Sequence, residues 1–194
     1  VNQLAHRWQA SGVQKNDVVM HLFYNSPEFV FCYVATQKIG AIGCPINYNF
    51  APGEIAIVLE DSKPKVFLYD ADFEEKVAHA LALSAWKPDV CVPIGTAGTS
   101  GSTFQSYVQG QSKEEPSAPD CHIFDEVLRL YTSGTTGRPR GVPINNINEV
   151  LTAHDVMMHF PLNSTDRTMN MTPWFHRGGI HSGGPTPTLY AGGE

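Results

Sequence analysis

The sequence lacks the long apolar runs that cross membranes. Its longest apolar stretch is Phe29–Ala35, far shorter than the roughly 20 apolar residues that a membrane-spanning helix needs. The N-terminus also lacks the basic segment, apolar stretch and cleavage site of a signal peptide. We therefore expect no transmembrane segment and a cytoplasmic protein.

Cysteine and positive charge are both scarce. The four cysteines, Cys32, Cys44, Cys91 and Cys121, include no CxxC pair, so a structural zinc site is not indicated and buried free thiols in a reducing cytosol are the simpler interpretation. Lys and Arg number 13 against 19 Asp and Glu, which gives a net charge of −6. The overall field of such a chain does not attract nucleic acid, so we expect no nucleic-acid partner and any anion site must be local.

The sequence alternates strand-like with helix-like segments. Its 194 residues are 42% hydrophobic and 16% charged, which is sufficient for one domain with a proper core. Apolar clusters predict strands at 17–24, 41–46, 65–69, 89–94, 128–131, 142–144 and 167–172. Helices are predicted up to about residue 12, at 26–39, 51–61, 72–85, 104–109 and 145–160, and in the glycine-rich end of the chain. This alternation predicts an α/β fold with a largely parallel sheet flanked by helices.

Residue types that cap helices mark several of the predicted starts. Ser26 precedes a proline, which is the pattern of an N-cap followed by the first helical residue. Asp72 is the predicted cap of the helix that follows the third strand, and Asn145 or Asn146 is the predicted cap of the helix at 145–160. The polar stretch 95–120 has no firm periodicity and is interpreted as a surface excursion.

One stretch, Tyr131–Val142 with the sequence YTSGTTGRPRGV, has more glycines and hydroxyls than a turn requires. Glycines let successive backbone N–H groups face one concavity, hydroxyls add donors, and the arginines behind them supply positive charge. The stretch follows a predicted strand, which places it at the edge of the sheet where α/β folds bind ligands. A flexible linker is the alternative, and the flanking strands argue against it. The pattern GxxxxGK[ST] of NTPases fails, because Pro139 and Arg140 stand where Gly and Lys are required.

These residues resemble the signature loop of the adenylate-forming enzymes, which include acyl-CoA synthetases, firefly luciferase and the adenylation domains of peptide synthetases. The resemblance differs mainly at Arg140, where the family usually has Lys. It extends over nearly the whole chain, through Asn25–Phe29, Lys38–Asn47 and Leu59–Val66. Further on, Pro173–Gly179 resembles the next motif of the family, which in acyl-CoA synthetases lines the pocket for the acid and the thiol.

The resemblance implies a reaction in which a carboxylate attacks the α-phosphorus of ATP, pyrophosphate leaves, and coenzyme A then takes the acyl group. It implies ATP, Mg²⁺ and coenzyme A as cofactor or cosubstrates and a small-molecule carboxylic acid as substrate. Arg140 would neutralise the leaving pyrophosphate as a catalytic residue, and the hydroxyl of Thr132 would lie near Mg²⁺. The residues that would hold the ATP phosphates are Thr132, Ser133, Gly134, Thr135, Thr136, Gly137 and Arg140.

The second motif supplies the predicted substrate pocket, with His176 as a catalytic residue. Its other members are Trp174, Phe175, Gly178 and Gly179. A neutral histidine hydrogen-bonded at a helix start is the alternative for His176, and the two glycines either leave room for an acyl chain or only allow close packing. His181 lies five residues after His176, off the spacing that brings side chains to one helix face, so no metal site is predicted there.

Several parts that the family needs are not in this sequence. The Tyr-Gly-x-Thr-Glu motif, the Asp that binds ribose and the small C-terminal domain with its Lys are missing. We therefore expect residues 1–194 to be an N-terminal fragment of the AMP-binding domain, without the rest of that domain and without the small lid domain. Two alternatives stay open: an adenylation domain or acyl-AMP ligase that loads a carrier protein, and a non-catalytic scaffold with the same fold.

Overall fold

Buried aliphatic residues form the strands of one sheet in the computed structural model, which describes residues 1–95, 102–133 and 137–194. The strands in these ranges are β1 Val18–Leu22, β2 Ile42–Pro45, β3 Val66–Asp70, β4 Val90–Gly95, β5 Ser102–Thr103, β6 Glu126–Thr132 and β7 Arg140–Asn145. The helices are α1 Asn2–Ala10, α2 Pro27–Lys38, α3 Pro52–Ser62, α4 Glu74–Leu83, α5 Phe104–Tyr107, α6 Asn146–His159, α7 Arg177–His181 and α8 Pro185–Ala191.

The sheet is parallel except at one edge. Its strand order is β5-β4-β3-β1-β2-β6-β7, and every neighbouring pair up to β6 is parallel, whereas β6 and β7 are antiparallel. Parallel neighbours need a crossover connection, and the helices α2, α3 and α4 supply it between the first four strands. The predicted α/β fold with a largely parallel sheet is confirmed.

Each face of the sheet is covered by its own apolar layer. Successive residues of β1 alternate between the layers: Val19 packs with Trp8 and Phe29 on one side, and Met20 packs with Phe67 and Ile55 on the other. All five residues of β1 are buried, as expected for a strand covered on both faces. The central strands are therefore a rigid base for whatever lies at their ends.

Side-chain caps start the helices at two of the three predicted positions. The Ser26 hydroxyl accepts the N–H of Phe29 at 3.4 Å, and the Asn145 amide oxygen accepts the N–H of Asn148 at 3.0 Å. The prediction that Asp72 caps its helix was wrong. The carboxylate of Asp70 accepts the N–H of Asp72 at 3.0 Å instead, and a short 3-10 turn precedes α4.

The predicted strand at 167–172 was also wrong. Its apolar side chains have nothing to cover them, since Met169 is 84% exposed and Met171 is 83% exposed. The start of the segment is bonded to the end of the chain, because the N–H of Thr168 donates to the carbonyl of Glu194 at 2.7 Å. The glycine-rich end forms two short helices, α7 and α8, separated near Gly183, which has a φ of +106°.

The cysteines match the buried-thiol interpretation only in part. All four are free, Cys32 and Cys44 are buried, Cys91 is half-buried and Cys121 is exposed. Burial raises the pKa of the Cys44 thiol to about 12 and that of Cys91 to about 11. Burial raises the pKa of the Cys32 thiol as well. Cys32, Cys44 and Cys91 are therefore held in the neutral, unreactive form.

The polar stretch 95–120 lies against the first helix where the structure describes it. Side chains of α1 bind its backbone: the Gln9 amide donates to the carbonyl of Ser117 at 2.9 Å, and the Asn2 amide donates to that of Lys113 at 3.0 Å. The surface excursion is thus held to the body of the protein by hydrogen bonds along α1.

Candidate functional site

The predicted phosphate loop connects the two antiparallel strands β6 and β7. Thr132 ends β6, Arg140 begins β7, and the two are cross-strand partners. Thr132 and Ser133 are exposed, and Gly137 has a φ of +75°, a left-handed conformation that favours glycine. The remaining predicted members, Gly134, Thr135 and Thr136, lie outside the described residues. The described residues after the loop form the strand β7 rather than a helix, so anion binding there would depend on loop N–H groups, hydroxyls and arginine.

A hydrogen bond to a neighbouring helix fixes the base of this hairpin. The Tyr131 hydroxyl donates to the Asp61 carboxylate, with 2.5 Å between the oxygens. Burial, and then this hydrogen bond, raise the pKa of Tyr131 well above its usual range, so the hydroxyl stays a donor. Gly141 lies against the same ring, because a Cβ there would come within 3.0 Å of Tyr131 Cζ. The strand ends beside the loop are therefore closely packed.

Positive charge is available at the same place. Arg138 and Arg140 are both exposed, and neither forms an ion pair with a carboxylate among the described residues. Arg140 projects from a paired strand position, whereas Arg138 lies in the bend before it. Because β6 runs parallel to β2, the hairpin lies at the edge of the sheet where the parallel strands end, which is the ligand-binding edge of α/β folds.

The predicted pocket segment is attached to that edge by a side-chain amide. Asn25 follows β1; its Nδ2 donates to the carbonyl of Thr172 at 2.9 Å, and its Oδ1 accepts the N–H of Trp174 at 3.0 Å. The indole of Trp174 packs edge-on against Phe29, with ring centroids 5.7 Å apart. Trp174 therefore packs the pocket segment against the core.

Phe175 points toward the carboxyl ends of the strands. Its ring meets that of Tyr48, which follows β2, at a centroid distance of 4.9 Å and nearly at right angles. Tyr48 in turn contacts Tyr24, which follows β1, at 5.2 Å. Aromatic rings thus line the sheet edge beside the pocket segment, a surface suited to the apolar part of a small ligand.

His176 is the N-cap of α7, as the alternative for this residue expected. Its Nδ1 accepts the N–H of Gly178 at 3.1 Å, and its side chain is exposed. An Nδ1 that accepts carries no proton, so the proton of the neutral ring lies on Nε2. No described residue hydrogen-bonds to Nε2, which leaves this atom as a donor for a ligand. The cap and a pocket role are therefore compatible.

The two glycines of the motif differ in surroundings. A Cβ at Gly179 would lie 1.9 Å from the carbonyl oxygen of Pro173, and one at Gly178 would meet His176 Nδ1 at 3.4 Å. Gly179 thus serves close packing of α7 on the segment before it, which is the second of the two predicted alternatives. A position of either glycine beside a bound acid stays a prediction.

Sequence reasoning missed a buried polar cluster behind α7. The carboxylate of Glu149, in the first turn of α6, is 2.8 Å from His181 Nε2, and its other oxygen accepts the hydroxyl of Tyr33. Tyr33 also bonds Thr186 Oγ1 at 2.8 Å. An acid in a first helical turn usually faces solvent and complements the helix dipole, so nothing in the sequence marks Glu149 as buried.

The described ranges contain neither a cluster of metal ligands nor a membrane-spanning helix. No group of three or more His, Cys, Asp and Glu is arranged there to hold a metal ion. Across the same ranges, every helix is too short or too polar to pass through a bilayer.

Comparison with known proteins decides the family. The family model described as "AMP-binding enzyme" matches residues 1–194. The chain belongs to this family of AMP-binding enzymes. The adenylate-forming resemblance of the Tyr131–Val142 stretch is thereby confirmed.

Relatives within the family are CoA ligases. Indoleacetate–CoA ligase of Aromatoleum aromaticum is 31% identical over 193 residues, which cover 99% of this chain and 37% of that protein. Long-chain-fatty-acid–CoA ligase FadD13 of Mycobacterium tuberculosis is 30% identical over 175 residues, 90% of this chain and 34% of that protein. The chain thus spans about a third of the length of the curated relatives it matches.

Solved structures agree on the fold. The anthranilate CoA ligase AuaEII in complex with anthranoyl-AMP superposes with a TM-score of 0.91 at 26% identity, over 100% of this chain and 37% of that one. The N-terminal domain of FACL13 from Mycobacterium tuberculosis gives a TM-score of 0.82 at 28% identity, over 98% of this chain and 46% of that one. The mostly parallel sheet with its flanking helices is therefore the N-terminal fold of CoA ligases of the AMP-binding family.

Proposed function

We propose that the full-length protein is an AMP-forming carboxylic acid:CoA ligase. A carboxylate oxygen attacks the α-phosphorus of ATP, the bond to the β-phosphate oxygen breaks, and acyl-AMP and pyrophosphate form. The thiol of coenzyme A then attacks the acyl carbonyl, and AMP leaves with the formation of a thioester. The observation that carries the proposal is the family match over residues 1–194, together with an exposed Arg140 opposite Thr132 at the base of the loop.

In this proposal the hairpin loop binds the β- and γ-phosphates of ATP. Thr132, Ser133 and Gly137, together with the predicted members Gly134, Thr135 and Thr136, would bind the phosphate oxygens through hydroxyl and backbone N–H donors. Arg140 neutralises the charge that develops on the leaving pyrophosphate, which is the main contribution a protein makes to this type of transfer. Its guanidinium forms two parallel hydrogen bonds, where the lysine usual in the family acts as a point charge.

Magnesium would be held chiefly by the nucleotide. Mg²⁺ prefers six oxygen ligands, usually phosphates, waters and one or two carboxylates. The described residues bring no acidic cluster to the loop, and the exposed hydroxyl of Thr132 is the oxygen of this chain that we propose for the ion. The fit is therefore partial, with Thr132 beside the ion and the remaining ligands supplied by ATP and water.

The segment from Trp174 to Gly179 would face the acid and the thiol. Because Nδ1 of His176 accepts from Gly178, its Nε2–H can donate to a carboxylate or acyl oxygen but cannot act as a base in that tautomer. The rings of Phe175 and Tyr48 meet beside it and offer an apolar wall. We infer an acyl or aryl acid as substrate, which agrees with relatives named for indoleacetate, 3-hydroxybenzoate and long-chain fatty acids.

Exchange of labelled pyrophosphate into ATP tests this function in the full-length protein. The assay is run with a panel of aryl, short-chain and long-chain carboxylic acids, and each reaction is compared with one that contains no acid. Acid-dependent exchange followed by CoA-dependent AMP release is expected with at least one class of acid. A folded protein that exchanges with none of them would instead be a scaffold with this fold.

A further inference from the structure

A buried cluster of polar side chains joins four helices behind the predicted pocket. Its centre is the Glu149 carboxylate on α6, which is only 5% exposed. One carboxylate oxygen is 2.8 Å from Nε2 of His181 on α7, which is 1% exposed. The other accepts the hydroxyl of Tyr33 on α2, and Tyr33 bonds Thr186 on α8. The carboxylate therefore has two donors and is almost completely buried.

A carboxylate is costly to bury, and an apolar residue in its place would fill the same space without that cost. What this network adds is geometry, because the two bonds to Glu149 hold Tyr33 and His181 in one arrangement. The other ring nitrogen of His181 is buried without a partner among the described residues. Burial followed by the charge of Glu149 raises the pKa of the Tyr33 hydroxyl, so Tyr33 keeps its proton and donates it to Glu149, while its oxygen accepts the hydroxyl of Thr186. The arrangement of donors around Glu149 is thus fixed.

The helix that this cluster holds is the one that begins at His176. α7 spans Arg177–His181, and so short a helix has little stability of its own. Its position is set by contacts at both ends: His176 caps its start, and His181 at its end bonds Glu149. The helix α6 that carries Glu149 follows β7 directly, and β7 begins at Arg140. The Glu149–His181 bond therefore connects β7 and α6, which follow the phosphate loop, to α7, whose N-cap is His176.

We propose that Glu149 is a positioning residue for the acid pocket: by its bond to His181 it fixes α7 and so orients His176. The inference rests on the proposed function for what His176 contacts. A change at Glu149 should affect binding of the acid but not binding of ATP, because the phosphate loop has a separate anchor, the bond between Tyr131 and Asp61. Loss of the Glu149 carboxylate is expected to impair use of the acid and to leave the affinity for ATP in place.

Kinetics of the full-length protein test this with three variants. Glu149→Ala removes both bonds and should lower kcat/KM for the acid roughly tenfold or more, since a misplacement of about 1 Å can cost about 100-fold, while KM for ATP stays within about twofold of wild type. Glu149→Gln keeps an acceptor for His181 and should restore kcat/KM to within roughly threefold. Tyr33→Phe removes the other bond without touching α7 and should leave KM for the acid unchanged. If Glu149 only stabilised the fold, Glu149→Ala would contain a smaller fraction of active enzyme and every KM would be unchanged. That result would overturn the proposal.

Limited proteolysis gives a readout that does not depend on activity. Arg177 is exposed in α7, and trypsin cleaves after it only when the helix opens. The rate of cleavage after Arg177, relative to that after the exposed Arg7 of α1, should rise roughly tenfold in Glu149→Ala and stay at the wild-type ratio in Glu149→Gln and Tyr33→Phe. An unchanged ratio in Glu149→Ala refutes the positioning of α7. If the wild-type protein shows no acid-dependent exchange, the proposed function fails and this ratio alone decides whether Glu149 holds α7.

Discussion

At the scale of single residues, two histidines show how burial and hydrogen bonding assign roles that the sequence leaves open. For His176, the structure shows the cap, since one ring nitrogen accepts the N–H of Gly178, and the pocket role stays a prediction that this cap allows. His181, which the spacing argument excluded only as a metal ligand, is buried and bonded to Glu149. The motif identified the pocket segment, but neither the cap nor the buried pair can be read from residue types alone, because both depend on where distant helices meet.

His21 leads to a prediction about acid stability. It is fully buried in β1, and neither ring nitrogen has a hydrogen-bond partner among the described residues. Burial lowers the pKa of His21 to about 3 from an ordinary value of 6.5. The folded protein therefore excludes a proton that the unfolded chain binds below pH 6.5, and stability present above that pH is lost as the pH falls toward 3.

Replacing His21 by Leu should remove this loss. The contribution amounts to about 1.4 kcal/mol of unfolding free energy per pH unit well below pH 6.5. Urea unfolding at pH 7, 6, 5 and 4 should show a shallower decline for His21→Leu than for wild type. Replacement of the exposed His79 by Gln controls for the loss of an imidazole as such. Parallel declines in His21→Leu and wild type would show that His21 is not kept neutral by the fold.

At the scale of elements, the predictions succeeded where the signal is local and failed where burial decides. Ser26 and Asn145 cap their helices because a side-chain acceptor adjoins free N–H groups. The false strand at 167–172 had the right residue types, but the sheet already ends at β7 on one side and at β5 on the other. Local pattern therefore locates helix starts better than it locates edge strands.

The cap of α6 can be tested with neighbouring asparagines. Asn145→Ala removes the acceptor of the Asn148 N–H and should lower the unfolding free energy by about 1 kcal/mol. Asn146→Ala is the matched control, because its side chain only donates to the carbonyl of His122 at an exposed position. Denaturant midpoints at constant m-value measure both changes. Equal losses in the two variants would mean that Asn145 does not act as the cap.

At the scale of the whole molecule, the sheet brings two distant motifs to one edge. The alternation of strands and helices was sufficient to predict a largely parallel α/β fold, since buried parallel strands are nearly continuous apolar runs. The alternation alone does not show that β7 turns back along β6; that direction follows from the short connection between the two strands, because parallel neighbours need a crossover of a dozen or more residues. The chain also spans about a third of its curated relatives, and we expect these residues alone to bind ATP weakly and to release no pyrophosphate.

The central claim is that the β6–β7 hairpin binds the triphosphate of ATP through Arg140. The most direct measurement is kcat/KM for ATP in pyrophosphate exchange by the full-length protein with Arg140→Ala, Arg140→Lys and Arg138→Ala. Arg140→Ala should lose roughly 10- to 100-fold, the range for a hydrogen bond to a charged group, and Arg140→Lys should recover most of that loss because the charge is kept. Arg138→Ala should lose far less, since Arg138 lies in the bend rather than on the paired strand. Equal values for Arg140→Ala and wild type, in protein that exchanges pyrophosphate, would contradict the claim.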